Sequence, residues 1–236
     1  MNLSDLKKEL QEKANSSHAE SLQKFFKTGP GEYGEGDVFI GIKVPELRKS
    51  AQAHHGLYLK DIEKLLRSKI HEERMVALFI LRIQYEQAIQ DEQNVLPYIN
   101  LYLNNATRIN NWDLVDTSAP YILGHYLLNE DREVLYKFAK SPNLWKKRIA
   151  IISTFAFIKE KEFEDALKIA EILLFEEHDL MHKAVGWMLR EIGNRSLATE
   201  EKFLKKYYQE MPRTTLRYAI EKFPEKKRQA YLKGKM

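Results

Sequence analysis

The chain has no cysteine, which removes disulfides, thiolate zinc sites and cysteine nucleophiles. It also lacks long apolar runs, since no stretch approaches the roughly 18 residues that a membrane helix requires. Its start, from Met1 to Leu10, is polar and amphipathic, without the apolar core of a targeting segment. Glycine and proline are sparse, 10 and 7 in 236 residues, so few positions punctuate a helical chain. Neither G-x-S-x-G nor a Walker loop occurs, which argues against a serine-hydrolase elbow and a P-loop NTPase. Seven histidines are present, and His178 and His182 share a helix face. A metalloprotease pattern would need Glu at 179, where the chain has Asp179. These absences lead to the expectation of a soluble, cytoplasmic protein that needs neither metal nor cofactor.

What is present is helical periodicity, continuous after residue 57. A short amphipathic segment followed by a longer apolar one recurs: Leu59–Ser68 then Glu72–Glu86, 91–105 then 112–128, 131–140 then 143–159, 162–175 then 178–193, and 199–210 then 213–223. Turn-forming clusters such as N-E-D and S-P-N separate them. Each of the longer segments carries a charged residue near its beginning: Arg74, Asp116, Arg148, Lys183 and Arg217, at intervals of 42, 32, 35 and 34 residues. Such a period suits a solenoid of helical hairpins, whose second helices line one surface. The same landmarks could instead be solvated first-turn residues of unrelated helices. The spacing predicts an all-α chain and one domain over 1–236, with N-terminal helices and a Gly-rich loop in 1–56 and about five helix pairs in 57–236.

Charge is distributed unevenly. The net charge is only +4, but residues 202–236 hold eleven Lys or Arg against three Glu. That leaves a segment of +8 on a body of −4, either a footprint for phosphate or a solvated terminal helix. Near the other end, residues 29–41 contain five of the ten glycines. Glu32, Glu35 and Asp37 make this stretch a poor phosphate cradle and favour a shaped connector entering a helix at Pro45.

Trp112 and Asp116 are four residues apart in N-N-W-D-L-V-D, and Lys183 and Trp187 are four apart in H-K-A-V-G-W-M, so each pair shares a helix face. Tryptophan on a helix is commonly core, and an aspartate in a first turn is commonly a cap. Asp113 is the expected solvent-facing acid of that turn, however, while Asp116 lies on the inward stripe with Ala119 and Pro120. An inward carboxylate needs a partner or a task. Structural and functional readings both remain open on the residues alone. An acid framed by indoles and cations would suit a cationic aromatic ligand on a polyanionic backbone, as an alkylated purine in DNA is.

N-W-D-L-V-D, N-L-W-K-K-R-I-A-I and K-A-V-G-W-M-L-R-E, in this order, resemble the AlkD-type DNA alkylation repair family of HEAT-like-repeat alkylpurine DNA glycosylases. The block F-F-K-T-G-P-G-E-Y-G-E-G-D-V-F-I-G-I-K-V-P-E-L-R resembles the family's N-terminal part, so the likeness spans roughly 20–223. It implies a right-handed solenoid of HEAT-like antiparallel helix pairs with a concave basic groove. It also implies that Asp116 is the catalytic carboxylate, that Trp112 and Trp187 are aromatic walls around the lesion nucleotide, and that Arg148 contacts phosphate. Lys183, Arg190, Arg217 and Phe25 are the further expected DNA contacts. Two departures stand out. Phe25 occupies a position where some members have Tyr, and Asn111 one where some have a second Trp. The implied partner is double-stranded DNA containing alkylated bases, with no obligate protein partner and a monomeric chain. A non-catalytic binder of damaged DNA and a protein-interaction scaffold are the alternatives.

Overall fold

In the computed structural model, which describes residues 2–236, the chain is built of helices and turns. Among the described residues the one extended pairing is a single bridge between Val38 and Ile70. The chain divides into two compact units, one reaching to Ser118 and the other spanning Ala119–Met236.

The first unit opens with α1 (Leu3–Glu12) and α2 (Ser16–Phe25), each begun by an asparagine. The Asn2 side chain accepts from the Asp5 amide and that of Asn15 from the His18 amide, satisfying donors that a helix start leaves open. After the Gly-rich loop come α3 (Val44–Ala53), with Pro45 in its first turn, and α4 (Leu59–Leu66). α4 is amphipathic and buries Ile62, Leu65 and Leu66 against α5 (His71–Gln90). α5 is the unit's centre, since every residue from His71 to Leu81 is buried. A helix enclosed all round suits its apolar middle, but it also takes four ionisable groups, at 71–74, out of water. α6 (Leu96–Asn104) and α7 (Trp112–Asp116) complete the unit.

The second unit begins with a π turn at Pro120–Gly124, followed by α8 (Glu133–Ala139), α9 (Leu144–Ser153), α10 (Phe155–Lys159), α11 (Glu164–Ile172) and α12 (Asp179–Gly193). α13 (Leu197–Tyr207), α14 (Arg213–Ala219) and α15 (Glu225–Leu232) finish it. α12 is the hub, packed by α9, α11, α13 and α14. Gly186 makes the α14 approach possible, because a Cβ there would lie 2.5 Å from both the Thr215 carbonyl oxygen and Tyr218 Cβ.

The all-α expectation holds, and helices occupy each of the expected segments. Two longer segments are not single helices. The stretch 112–128 breaks after Asp116, because Pro120 has no amide to continue the ladder and the Gly124 amide reaches back five residues to Ala119 (2.8 Å). The stretch 143–159 breaks at Thr154, whose hydroxyl bonds the Ile151 carbonyl at 2.6 Å.

On α13, Glu200 is 1% exposed and its Oε1 has no hydrogen-bond partner. A Cβ at Gly193 would fall 1.7 Å from its Oε2, so that glycine makes room for the carboxyl. Burial foremost, then the neighbouring Glu201, raises the Glu200 pKa to about 8, against an opposing pull from Arg190. An acid raised in this way binds more protons folded than unfolded between about 4.5 and 8, so it subtracts stability as pH rises through that window. Glu200→Gln should therefore lift Tm at pH 8 by at least about 3 °C and leave it nearly unchanged near pH 4. Melting followed by circular dichroism at both pH values checks this.

Candidate active site

α7 is a single turn of five residues, too short to persist without tertiary support. Asn111, fully buried, caps it by accepting from the Trp112 amide at 2.8 Å. The Asn111 Nδ2 also donates to Asp37 Oδ2 at 3.2 Å. A tryptophan at 111, whose indole offers no acceptor, could not cap the Trp112 amide in this way.

Asp37 comes from the Gly-rich loop and is buried. Arg74 Nη2 donates to its Oδ1 at 2.6 Å, and His71 Nδ1 lies 3.0 Å from Oδ2. Burial works against its charge, yet His71, Arg74 and Asn111 outweigh it and hold its pKa below the ordinary aspartate value. The other imidazole nitrogen, His71 Nε2, lies 2.9 Å from Asp113 Oδ2. Asp113 is thus not the solvent-facing acid expected from its place in the first turn; it anchors α7 to α5. Arg74, the first of the periodic landmarks, is spent in the same cluster.

The loop is fixed from α5 as well. The Glu72 carboxylate accepts from the amides of Ile40 (3.1 Å), Gly41 (2.7 Å) and Ile42 (3.3 Å). Gly41 has φ +86°, and a Cβ on it would meet the Asn15 carbonyl oxygen at 2.1 Å, so the loop lies directly on the start of α2. The Asn15 amide donates to Ile40 (2.8 Å), and His18 Nδ1 is 2.8 Å from the Gly41 carbonyl. Glu32 and Glu35 bond the Gly29 and Gly31 amides, both at 2.9 Å. All three loop acids therefore shape the connector.

This scaffold presents an aromatic stack. The half-buried Trp112 lies against Phe26 (5.3 Å, 22°), Phe26 stacks on Phe39 (4.9 Å, 17°), and Phe39 stacks on His71 (4.3 Å, 22°). Phe25, 63% exposed, meets the Trp112 ring edge-on at 6.1 Å. The structure thus brings together Phe25 and Trp112 of the expected site residues. Nearby, Tyr33 Oη donates to the Phe25 carbonyl at 3.5 Å. Asp116 ends α7 half-buried, and its charge adds to burial in raising the Tyr102 pKa. A recess of about 300 Å³ beside the stack is lined by Phe25, Phe26, Phe39, His71 and Asp113, among others.

The remaining expected residues belong to the second unit. Arg148 on α9 is buried, and its Nη1 donates to the Leu180 carbonyl at 2.7 Å, tying α9 to the first turn of α12. Lys183 pairs with Asp179 one turn earlier at 2.6 Å, and Arg190 pairs with Glu221. Trp187 is half-buried against Phe155, with ring centres 6.1 Å apart. Arg217, on α14, is exposed. His178 caps α12 by accepting from the Leu180 amide at 3.1 Å.

A model of the DNA alkylation repair enzyme family matches residues 6–223. The chain belongs to this family. A solved structure described as a predicted DNA alkylation repair enzyme from Enterococcus faecalis is similar at TM-score 0.71 and 18% identity, covering 90% of this chain and 98% of that chain. At that identity the likeness speaks for the fold. No curated protein matches the chain. Membership in the DNA alkylation repair enzyme family supports a role in DNA alkylation repair, and no helix among the described residues is long and apolar enough to cross a membrane.

The sequence reading missed the Asp37–His71–Arg74–Asp113 cluster. Its one legible signal was the run H-E-E-R at the head of an otherwise apolar helix, four ionisable residues in succession where the pattern calls for burial. Glu72→Gln removes the charge from three amide contacts and should cost about 1.5–3 kcal/mol of stability. The check is a lower denaturant midpoint with an unchanged m value.

Proposed function

We propose that the protein is a DNA glycosylase that hydrolyses the N-glycosidic bond of cationic alkylated purines, of the 3-methyladenine and 7-methylguanine type, in double-stranded DNA. The observation that carries this reading is α7 itself. It is a one-turn helix held at its N-terminal end by buried hydrogen bonds, bearing Trp112 in an aromatic stack and ending in the Asp116 carboxylate.

The chemistry follows from the substrate. Alkylation at N3 or N7 gives the purine a positive charge and makes it a good leaving group, so a strong general acid, a metal or a cofactor is unnecessary. What needs stabilising is the positive charge that grows on the deoxyribose as the bond breaks. Asp116, ionised, faces that charge and orients the attacking water. The attraction strengthens in a half-desolvated setting, where the effective dielectric is well below that of water. The indole faces of Trp112 and Trp187 each favour a cation by about 0.5–2 kcal/mol.

Binding rests on the phosphate backbone and is therefore salt-sensitive and largely independent of sequence. Arg217, exposed, and Lys183, whose pair with Asp179 is exchangeable at the surface, supply charge directly. Arg190 contributes in the same way by exchanging Glu221 for phosphate. Arg148, held on a backbone carbonyl, contributes its charge from a fixed position. Phe25 offers an apolar contact to the DNA beside Trp112.

Incubation with globally methylated DNA and chromatography of the released bases tests the activity. Asp116→Asn should retain DNA affinity and lower the rate of 7-methylguanine release at least about tenfold, equivalent to about 1.4 kcal/mol in barrier. Unimpaired release by this variant would remove Asp116 from the mechanism, and DNA retention without release by the wild type would leave a binder alone. Titration of DNA affinity against salt provides a separate check. Arg217→Ala should weaken binding across sequences alike and reduce the slope of log K on log salt by about one.

A further inference from the structure

We infer that His71 is a positioning residue, an imidazolium clamp that bridges Asp37 and Asp113 and thereby sets the placement of the α7 turn carrying Trp112 and Asp116. The inference deepens the glycosylase reading and rests on it only for the consequence in rate.

The geometry requires a doubly protonated ring. His71 Nδ1 faces Asp37 Oδ2 at 3.0 Å and Nε2 faces Asp113 Oδ2 at 2.9 Å. Ionised carboxylates only accept hydrogen bonds, so both nitrogens must donate, and only the imidazolium has two N–H groups. The charges agree. Asp37 and Asp113 are balanced by Arg74 and a cationic His71, whereas a neutral ring would leave one uncompensated negative charge in a largely desolvated cluster. The ring also lies on Phe39 at 4.3 Å, a face that favours a cation.

Other charges packed around the ring are engaged elsewhere. Glu72 is held by the loop amides, and Glu73 pairs with Lys7 of α1 at 2.9 Å. His18 and Lys43 line the recess onto which His71 and Asp113 open, which gives the ring a route for proton exchange with solvent. Burial disfavours the charged ring, but Asp113 and Asp37 outweigh burial and the repulsion of Arg74 and raise its pKa to about 8.

Two connections lead from the ring to Trp112. One is covalent: Asp113 is the next residue along α7, and its Oδ1 also accepts from the Leu114 amide at 2.8 Å. The other is the stack from His71 through Phe26 to Trp112, with ring centres 5.3 Å apart at each step. When the proton leaves, one imidazole nitrogen presents a lone pair to a carboxylate, one of the two bridges turns repulsive, and the clamp between α7 and α5 loosens. Because the folded pKa is raised above 6.5, the stabilisation is complete below about pH 6.5 and is lost as pH rises through about 8.

The test follows the His71 ring protons and the Trp112 indole N–H by NMR on the full chain from about pH 6 to about pH 10. The expected result is one shared midpoint near 8 for both signals. A second variant, Asp113→Asn, turns the partner into an amide that can donate to a neutral ring; it should abolish the Trp112 response in that range. His71→Ala should lower kcat for base release at least about tenfold while DNA Kd stays within about twofold, and wild-type kcat should fall above about pH 8. A Trp112 signal that stays still while His71 titrates, or an Asp113→Asn protein that keeps the full response, overturns the clamp. Because the NMR readout needs no turnover, a wild type that titrates as expected yet releases no base upholds the clamp and sinks only the glycosylase reading.

Discussion

The side chain of Asp37 takes hydrogen bonds from three residues on two separate parts of the first unit: His71 and Arg74 at the head of α5, and Asn111 at the cap of α7. Removing a carboxylate from water is costly, and the cost is offset only when its lone pairs are filled. Here they are filled by groups that are far apart in sequence, so satisfying one buried acid fixes the relative positions of the Gly-rich loop, the central helix and the turn that bears Trp112. The loop has no regular ladder to define it, and α7 is too short to define itself. Both take their shape from this polar centre, and the aromatic stack from Phe39 to Trp112 is laid across it.

The second unit is organised by a different constraint, close approach of helix backbones. Gly124 lies against the Ser153 carbonyl, where a Cβ would come within 2.3 Å, and Gly186 lies against Thr215 and Tyr218. Beside Gly186, Trp187 leaves the helix half-buried against Phe155. The cations on this unit differ accordingly. Arg148 is structural in its hydrogen bonding, Lys183 and Arg190 are paired to acids near the surface, and Arg217 is exposed. For a surface that meets phosphate, exchangeable pairs matter more than a count of basic residues, since each can trade a carboxylate for a phosphate at small cost.

The helix pairs were legible because burial of one face imposes a 3.6-residue repeat, and α4 with its apolar Ile62, Leu65 and Leu66 is the plain case. The breaks were not. Pro120 warned of one, but Thr154 interrupts α9 and α10 through a hydroxyl-to-carbonyl bond that many helices tolerate without ending. In the site, Trp112 and Asp116 could be placed on one face from spacing alone. Which partners hold that face could not, because Asp37, His71 and Asn111 meet across separations of 34 and 74 residues. Local pattern carries no trace of such contacts. For the same reason Asp113 read as a solvent-facing first-turn acid, and Arg74 as one landmark in a row of five.

The seating of Gly41 on the start of α2 has a mechanical consequence. α2 runs ten residues, about 15 Å at the ordinary helical rise, with the loop fastened at its N-terminal end through Asn15 and His18 and Phe25 at its C-terminal end. A stiff rod pivoted at one end magnifies angle into displacement, so a tilt of about 5° at the glycine would carry the Phe25 ring more than about 1 Å. The permitted size of residue 41, hydrogen and nothing larger, thus acts as the alignment screen for an aromatic ring three turns away.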